Sequence, residues 1–299
     1  MRSRPTRRSF FNRSFAGLAG IALGASCRTE DEAAPLFIRK KAPIALQLYS
    51  VREAVQEDFP GVLSAIAQMG YDGVEFAGYQ NYSARELRRM LDENGLQSAG
   101  CHVRLPSLLG DEFERTVEFS QVLGSPFVVV PLHTEEPRTT RDEWLQLAGT
   151  FNDVSERLRP FGMQVGIHNF DREFQPVEGE LPWHILGSYT LAEVVLQLDT
   201  AAATRGGGEV ISLLEPYPGR AQSVHLEDHA PDGSVVLPGD GVVPFRPLLE
   251  LLLTTGGVEW LIIEQEQHPE GYTALESVES CLRRLQGFLE GKSVQASTA

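Results

Sequence analysis

The sequence predicts an α/β fold in which eight parallel strands alternate with helices and close into a (β/α)8 barrel. Three observations carry this. After residue 42, short apolar runs bounded by glycine or polar residues alternate with amphipathic stretches. Eight such runs can be counted, and 299 residues suit one barrel of roughly 250 residues with short extensions. No Gly-x-Gly-x-x-Gly follows the first run, which argues against a doubly wound dinucleotide fold. Gly206-Gly207-Gly208 follows the sixth run but lacks that spacing and is a weak sign of a phosphate loop.

The strands are expected at Ile44–Tyr49, Gly73–Phe76, Gln97–Val103, Phe127–Pro131, Gln164–His168, Val194–Asp199, Ala221–Leu226 and Glu259–Glu264. Between them, Phe59–Met69 carries Val62, Leu63, Ile66 and Met69 at helical spacing. Ser83–Asn94 opens on a serine cap with an acid downstream and stops at Gly95. Glu112–Leu123 stops at Gly124, Arg141–Leu158 is the longest helix, and Phe245–Leu253 and Tyr272–Leu289 complete the set. The crossover after the fifth strand, with Pro176, Gly179 and Pro182, is the least regular. Trp260 is expected in the core, whereas Trp144 and Trp183 suit core or interface. The domain plan is a signal segment over 1–27, a linker over 28–42, the barrel over 43–290 and a disordered tail over 291–299.

Hydrophobic residues make up 42% of the chain, enough for a sizeable core, and no stretch after the leader reaches the roughly 20 apolar residues of a membrane span. The formal charge is −15, and falls to −20 once the five arginines of residues 1–27 are set aside. Such a surface repels nucleic acid and anionic lipid, and disfavours a highly charged phosphosugar. Three cysteines, Cys27, Cys101 and Cys281, make no disulfide framework. At the amino terminus, Thr6-Arg7-Arg8-Ser9-Phe10-Phe11-Asn12 precedes an apolar block from Phe15 to Ala25. A basic region, a short apolar run and small residues before a cut site describe a signal peptide, and the arginine pair resembles a twin-arginine export signal. The expected location is therefore periplasmic or otherwise exported, with a lipid anchor at Cys27 as an alternative.

In a barrel of this kind the active site forms where strands end and βα loops begin. Those positions hold Glu75, His102, His133, His168-Asn169, Asp171, Glu173, Asp199, His225, Glu227, Asp228, His229, Glu264, Glu266 and His268. A lone histidine at a strand end is more often a structural hydrogen-bonder, and a lone acid there usually serves a helix's first turn. Gathered into one ring, however, several buried acids repel one another unless a cation neutralises them. Oxygen and nitrogen donors without cysteine suit Mn, Zn, Co or Mg as the divalent metal.

The stretches Leu46–Arg52, Gly70–Tyr79, His168–Phe174, Leu198-Asp199, Tyr217–Arg220, Val224–Asp228, Gly239–Phe245 and Glu264–Glu266, in this order and spacing, resemble the sugar phosphate isomerase/epimerase family, the xylose-isomerase-like TIM barrels. The likeness spans about residues 43–290. It implies a metal held by Asp199, His225 and Glu264, with His168 standing where the epimerase branch usually has a glutamate. It also implies Glu75 and His102 on the substrate side. The chain departs from the family pattern at Phe170 for a histidine, at Glu227 for a lysine, and at Ala201-Ala202, where an aromatic residue is common.

The resemblance implies an isomerase or epimerase that moves the proton next to a carbonyl of a sugar, with the metal stabilising the enediolate. Catalytic candidates are His102, Glu75 and Glu173; Asn169, Glu227 and Asp228 are expected to bind substrate. Export points to an unphosphorylated sugar or glycoside as the small-molecule partner. The same enediolate can expel a β-substituent, so a 3-keto-glycoside lyase or hydratase is an alternative. A non-catalytic carbohydrate-binding barrel is a third reading. An apurinic-site nuclease on the same barrel type is disfavoured by the negative charge.

Overall fold

The computed structural model describes residues 42–132 and 137–292. The export signal, Cys27, most of the linker, His133 and residues 293–299 lie outside the described residues.

Eight parallel strands form one sheet: β1 (Ile44–Gln47), β2 (Gly73–Phe76), β3 (Gln97–His102), β4 (Phe127–Pro131), β5 (Gln164–His168), β6 (Val195–Gln197), β7 (Ser223–Leu226) and β8 (Trp260–Ile263). Their order is β6-β5-β4-β3-β2-β1-β8-β7. The remaining gap, between β6 and β7, is closed by a parallel bridge between Asp199 and His225. Two backbone hydrogen bonds join it there, His225 N to Leu198 O at 2.9 Å and Leu196 N to Arg220 O at 2.8 Å. Every residue of β1, β2, β4, β7 and β8 is buried, and β4 and β8 accordingly read as continuous apolar runs, while β1, β2 and β7 bury the polar Gln47, Glu75 and His225 of the site.

Among the described residues ten α-helices accompany the strands: α1 (Arg52–Met69), α2 (Ala84–Asn94), α3 (Pro106–Leu109), α4 (Phe113–Leu123), α5 (Arg141–Leu158), α6 (Pro182–Tyr189), α7 (Thr200–Arg205), α8 (Val210–Leu214), α9 (Phe245–Leu251) and α10 (Ala274–Leu289). Ser83, Thr140 and Thr273 each cap a helix in a reciprocal pair with the glutamate three residues on. A large core lies between sheet and helices; a smaller one of Ala45, Ala99, Phe127, Val129, Val195, Trp260 and Ile262 lies apart from it. Trp260, Trp144 and Trp183 are all buried.

Where the structure differs from the sequence reading, side-chain hydrogen bonds explain most of it. The first strand stops at Gln47 because its side chain accepts the Tyr49 N–H and starts a 3-10 turn over Leu48–Val51. α1 begins seven residues before Phe59 and kinks at Asp58, whose carboxylate accepts the Gly61 N–H and recaps the chain ahead of Pro60. The glycine triplet packs closely: a Cβ on Gly206 would lie 2.5 Å from Asp171 O and one on Gly208 2.7 Å from Leu213 Cδ1. Glycine at these two positions answers to space, without any need for a phosphate.

Candidate active site

The carboxyl ends of β1, β2, β3, β5, β6, β7 and β8 converge on one buried cluster. Its ligand-bearing half comprises His168 at the end of β5, Asp199 two residues beyond β6, His225 within β7 and Glu264 just past β8. Each offers a donor atom within 4.8 Å of the others, and all four residues are buried. His102 forms a second such group with His168 and His225. The His102 and His225 rings stack with centroids 5.3 Å apart, and His168 lies 4.6 Å from His225.

Local structure explains why each side chain stands there. Asp199 caps α7, its Oδ1 accepting the Ala202 N–H at 2.5 Å. Asn169 grips the same residue's backbone: its Oδ1 accepts Asp199 N–H at 2.9 Å and its Nδ2 donates to Asp199 O at 3.4 Å. The His225 ring lies between two carboxylates, with Nδ1 2.6 Å from Glu264 Oε2 and Nε2 2.5 Å from Glu75 Oε2.

The electrostatics are those of a crowded ring of buried charge. Burial, and then the Glu264 carboxylate, push Asp199 up to about 7. Burial, and then Asp199 and Glu264, push Glu227 well above the usual carboxylate range. Burial would lower His225, but Glu264 and Glu75 outweigh it and hold the imidazole well above its ordinary value. Burial, followed by its histidine neighbours, pushes His168 well below. A divalent cation fits this donor set: two imidazoles and two carboxylates are close, buried and mutually repulsive in their acids.

Beside the cluster opens a cavity of about 390 Å³, lined by Tyr49, Ala77, His102, Val103, Arg104, Pro131, His168, Phe170, Glu264 and Glu266. It therefore joins the ligand cluster to apolar and aromatic walls of the kind that suit a sugar ring.

Several expected roles shift. Glu75, expected to meet substrate, is fully buried and accepts from Gln47 Nε2 at 2.7 Å and Gln197 Nε2 at 2.8 Å as well as from the histidines. It is a buried anchor for His225 and His102: burial would raise its carboxyl, but the two imidazoles against it outweigh that and hold it well below the usual range. Glu173 is fully buried, and its carboxylate accepts the Phe170 N–H at 2.6 Å and Arg172 Nε at 2.9 Å, so it shapes its own loop. Asn169 is committed to Asp199, as described. Asp228 accepts backbone N–H groups from His229, Gly239, Gly241 and Val243 and organises the loop after β7. Glu227 accepts the Glu266 N–H at 3.0 Å and ties the last two βα loops together. None of these five lines the cavity, whereas His102 does. Sequence reasoning passed over Gln47 and Gln197, whose signal was a glutamine within an otherwise apolar strand. It also passed over Tyr49 and Arg104 on the cavity wall.

The fold and site together define a parallel β/α barrel with a buried nitrogen-and-oxygen ligand cluster and an adjoining cavity. The family model for the xylose isomerase-like TIM barrel matches residues 63–285, and the chain belongs to that family. Among curated proteins it is 24% identical to an inosose dehydratase of Serratia proteamaculans, over 72% of this chain and 84% of that protein. It is 27% identical to the rhizopine catabolism protein MocC of Rhizobium meliloti, over 69% and 74%. Among solved structures, a sugar phosphate isomerase/epimerase from Parabacteroides distasonis superposes with a TM-score of 0.72 at 23% identity, covering 84% of this chain and 96% of that one.

Proposed function

We propose that this protein is a divalent-metal-dependent enzyme that removes the proton next to a carbonyl of an unphosphorylated sugar or sugar derivative and returns it elsewhere, as an isomerase or epimerase. The single observation that carries the reading is the junction of the His168–Asp199–His225–Glu264 cluster with a cavity that has His102 in its wall. A cation held by those four residues would supply Lewis-acid polarisation of a substrate carbonyl and its neighbouring hydroxyl. The chain's own residues do the rest. His102 is the base, since it is the expected catalytic residue that reaches the cavity. Tyr49 and Phe170 flank the sugar ring, and the buried acids beneath keep the imidazoles in place.

A lyase is the second reading, favoured by the likeness to inosose dehydratases and by His168 in the place of a second carboxylate. Elimination needs one base and a departing β-substituent, whereas epimerisation needs proton delivery on both faces. The amino-terminal pattern supports export, and with the strongly negative charge it favours a neutral substrate over a phosphosugar.

The test starts with metal content. The protein is grown in medium supplemented with Mn, Zn, Co or Mg and weighed for bound metal by elemental mass spectrometry, beside His225→Ala. Near-stoichiometric metal in the parent and its loss in the variant is the expected result. Neutral keto sugars and keto-cyclitols are then incubated with it in deuterated water. Deuterium entering next to the carbonyl marks proton transfer; loss of water or an aglycone marks the lyase. Absence of metal under every loading condition would overturn the reading in favour of a sugar-binding barrel.

A further inference from the structure

Beneath the cavity lies a polar network whose directionality can be worked out from one backbone group. The Tyr49 N–H can only donate, so Gln47 Oε1, 3.2 Å away, accepts. Gln47 must then turn its Nε2 toward Glu75 Oε2, where it donates at 2.7 Å. Glu75 is thereby an acceptor, and it also lies 2.8 Å from the Gln197 amide. The Gln197 Nε2 therefore faces Glu75 and the Ser223 hydroxyl at 2.7 Å, which leaves Gln197 Oε1 pointing the other way. Two ring nitrogens meet that oxygen: His102 Nε2 at 2.9 Å and His168 Nδ1 at 3.0 Å. An amide oxygen has two lone pairs and no proton, so both nitrogens must donate.

We infer that Gln197 is a positioning residue that sets, with one carbonyl oxygen, the tautomers of two histidines with different tasks. Neutral His102 is held as the Nε2–H form, which keeps a lone pair on Nδ1. His168 is held as the Nδ1–H form and keeps a lone pair on Nε2. The two rings are thus loaded in opposite senses. The proton acceptor of His102 is Nδ1, and the ligand atom of His168 is Nε2. His102 Nε2 also lies 3.1 Å from Glu75 Oε2, a second acceptor that enforces the same form. Gln197 is fully buried, so water does not compete for its oxygen. The assignment of tasks to the two histidines rests on the function proposed above; the tautomers themselves do not.

Imidazole nitrogens that carry a proton and those that carry a lone pair differ widely in 15N chemical shift, and long-range 15N–1H correlation spectra of the full chain report the tautomer of each ring. Peaks are assigned with His102→Gln and His168→Gln. The expected spectrum shows one pure tautomer for each ring, Nε2–H for His102 and Nδ1–H for His168. Gln197→Met, which keeps the volume and removes the acceptor, should lose the pure pattern at His168 and weaken it at His102, where Glu75 still accepts. Ser223→Ala, which removes the amide's other partner, should leave both rings as in the parent. Opposite tautomers in the parent, or a pure Nδ1–H pattern at His168 surviving in Gln197→Met, would overturn the inference. If Gln197→Met does not fold, the parent spectrum alone still decides. The measurement uses no substrate, so a protein that turned over no sugar would fail the functional proposal while leaving this one standing or falling by itself.

Discussion

Asp199 has two uses for one carboxylate: it caps α7 through Ala202 and stands among the candidate ligand atoms near Glu264. Because burial and Glu264 raise it to about 7, below that pH it holds a proton that an incoming cation must displace. Apparent metal affinity should rise with pH through about 7 and keep rising above it, because His225, held well above its ordinary value, must also give up a proton to serve as a ligand. Titration calorimetry would show this, and affinity that is flat from pH 5 to 8 would refute the assignment. The sign for folding is opposite. A carboxyl raised above its unfolded value stabilises the metal-free fold at low pH, and that contribution is lost as pH rises through about 7. Asp228 is the other instructive residue. Its two oxygens receive four backbone N–H groups, so Asp228→Ala should orphan them and cost about 3 kcal/mol in urea unfolding. A cost below about 0.5 kcal/mol would show that the loop after β7 holds without it. Strand position let the sequence place Asp199, His225, Glu264 and His168 in one ring. It could not say which polar side chains the backbone would claim, so Asn169 and Asp228 read as substrate contacts and Glu173 as a catalytic candidate. Gln47 and Gln197 were passed over because an amide in an apolar strand carries no charge pattern.

At the scale of elements, boundaries were readable to within two residues where the signal is local, the last helix starting at Ala274 and not at Tyr272. Ser83 with Glu86, Thr140 with Glu143 and Thr273 with Glu276 all stand three apart and all form reciprocal caps. The boundaries that moved depend on other partners. Gln47 ends the first strand through its own side chain, and Asp58 splits α1 in two. The short helices α7 and α8 open on acids, Asp199 and Glu209, that read equally well as loop residues. Removing a local cap has a calculable effect. Ser83→Ala and Thr273→Ala should each cost about 1 kcal/mol, and the double variant about their sum, because the two caps share no partner. Equilibrium urea melts of the three variants check this; a double variant no weaker than either single one would mean the helices unfold as one unit through a shared contact.

For the whole molecule, the junction between β6 and β7 is where barrel closure is thinnest, made by the Asp199–His225 bridge and two flanking backbone bonds. The candidate ligands straddle it, with His168 and Asp199 on one side and His225 and Glu264 on the other. A cation bound to all four would therefore fasten the barrel shut as well as serve chemistry. Two consequences can be separated. At about a hundred times its dissociation constant, the cation should add about 2.7 kcal/mol to unfolding stability by mass action, wherever it binds. Only a cation across this junction should also slow local opening there. Hydrogen exchange at the amides of Leu196 and His225 should then slow more than exchange at the β1–β2 ladder around Leu46 and Gly73. Protection that rises by the same factor in both places would report global stabilisation alone. It would place the cation elsewhere than between β6 and β7, and remove the ligand set on which the proposed chemistry stands.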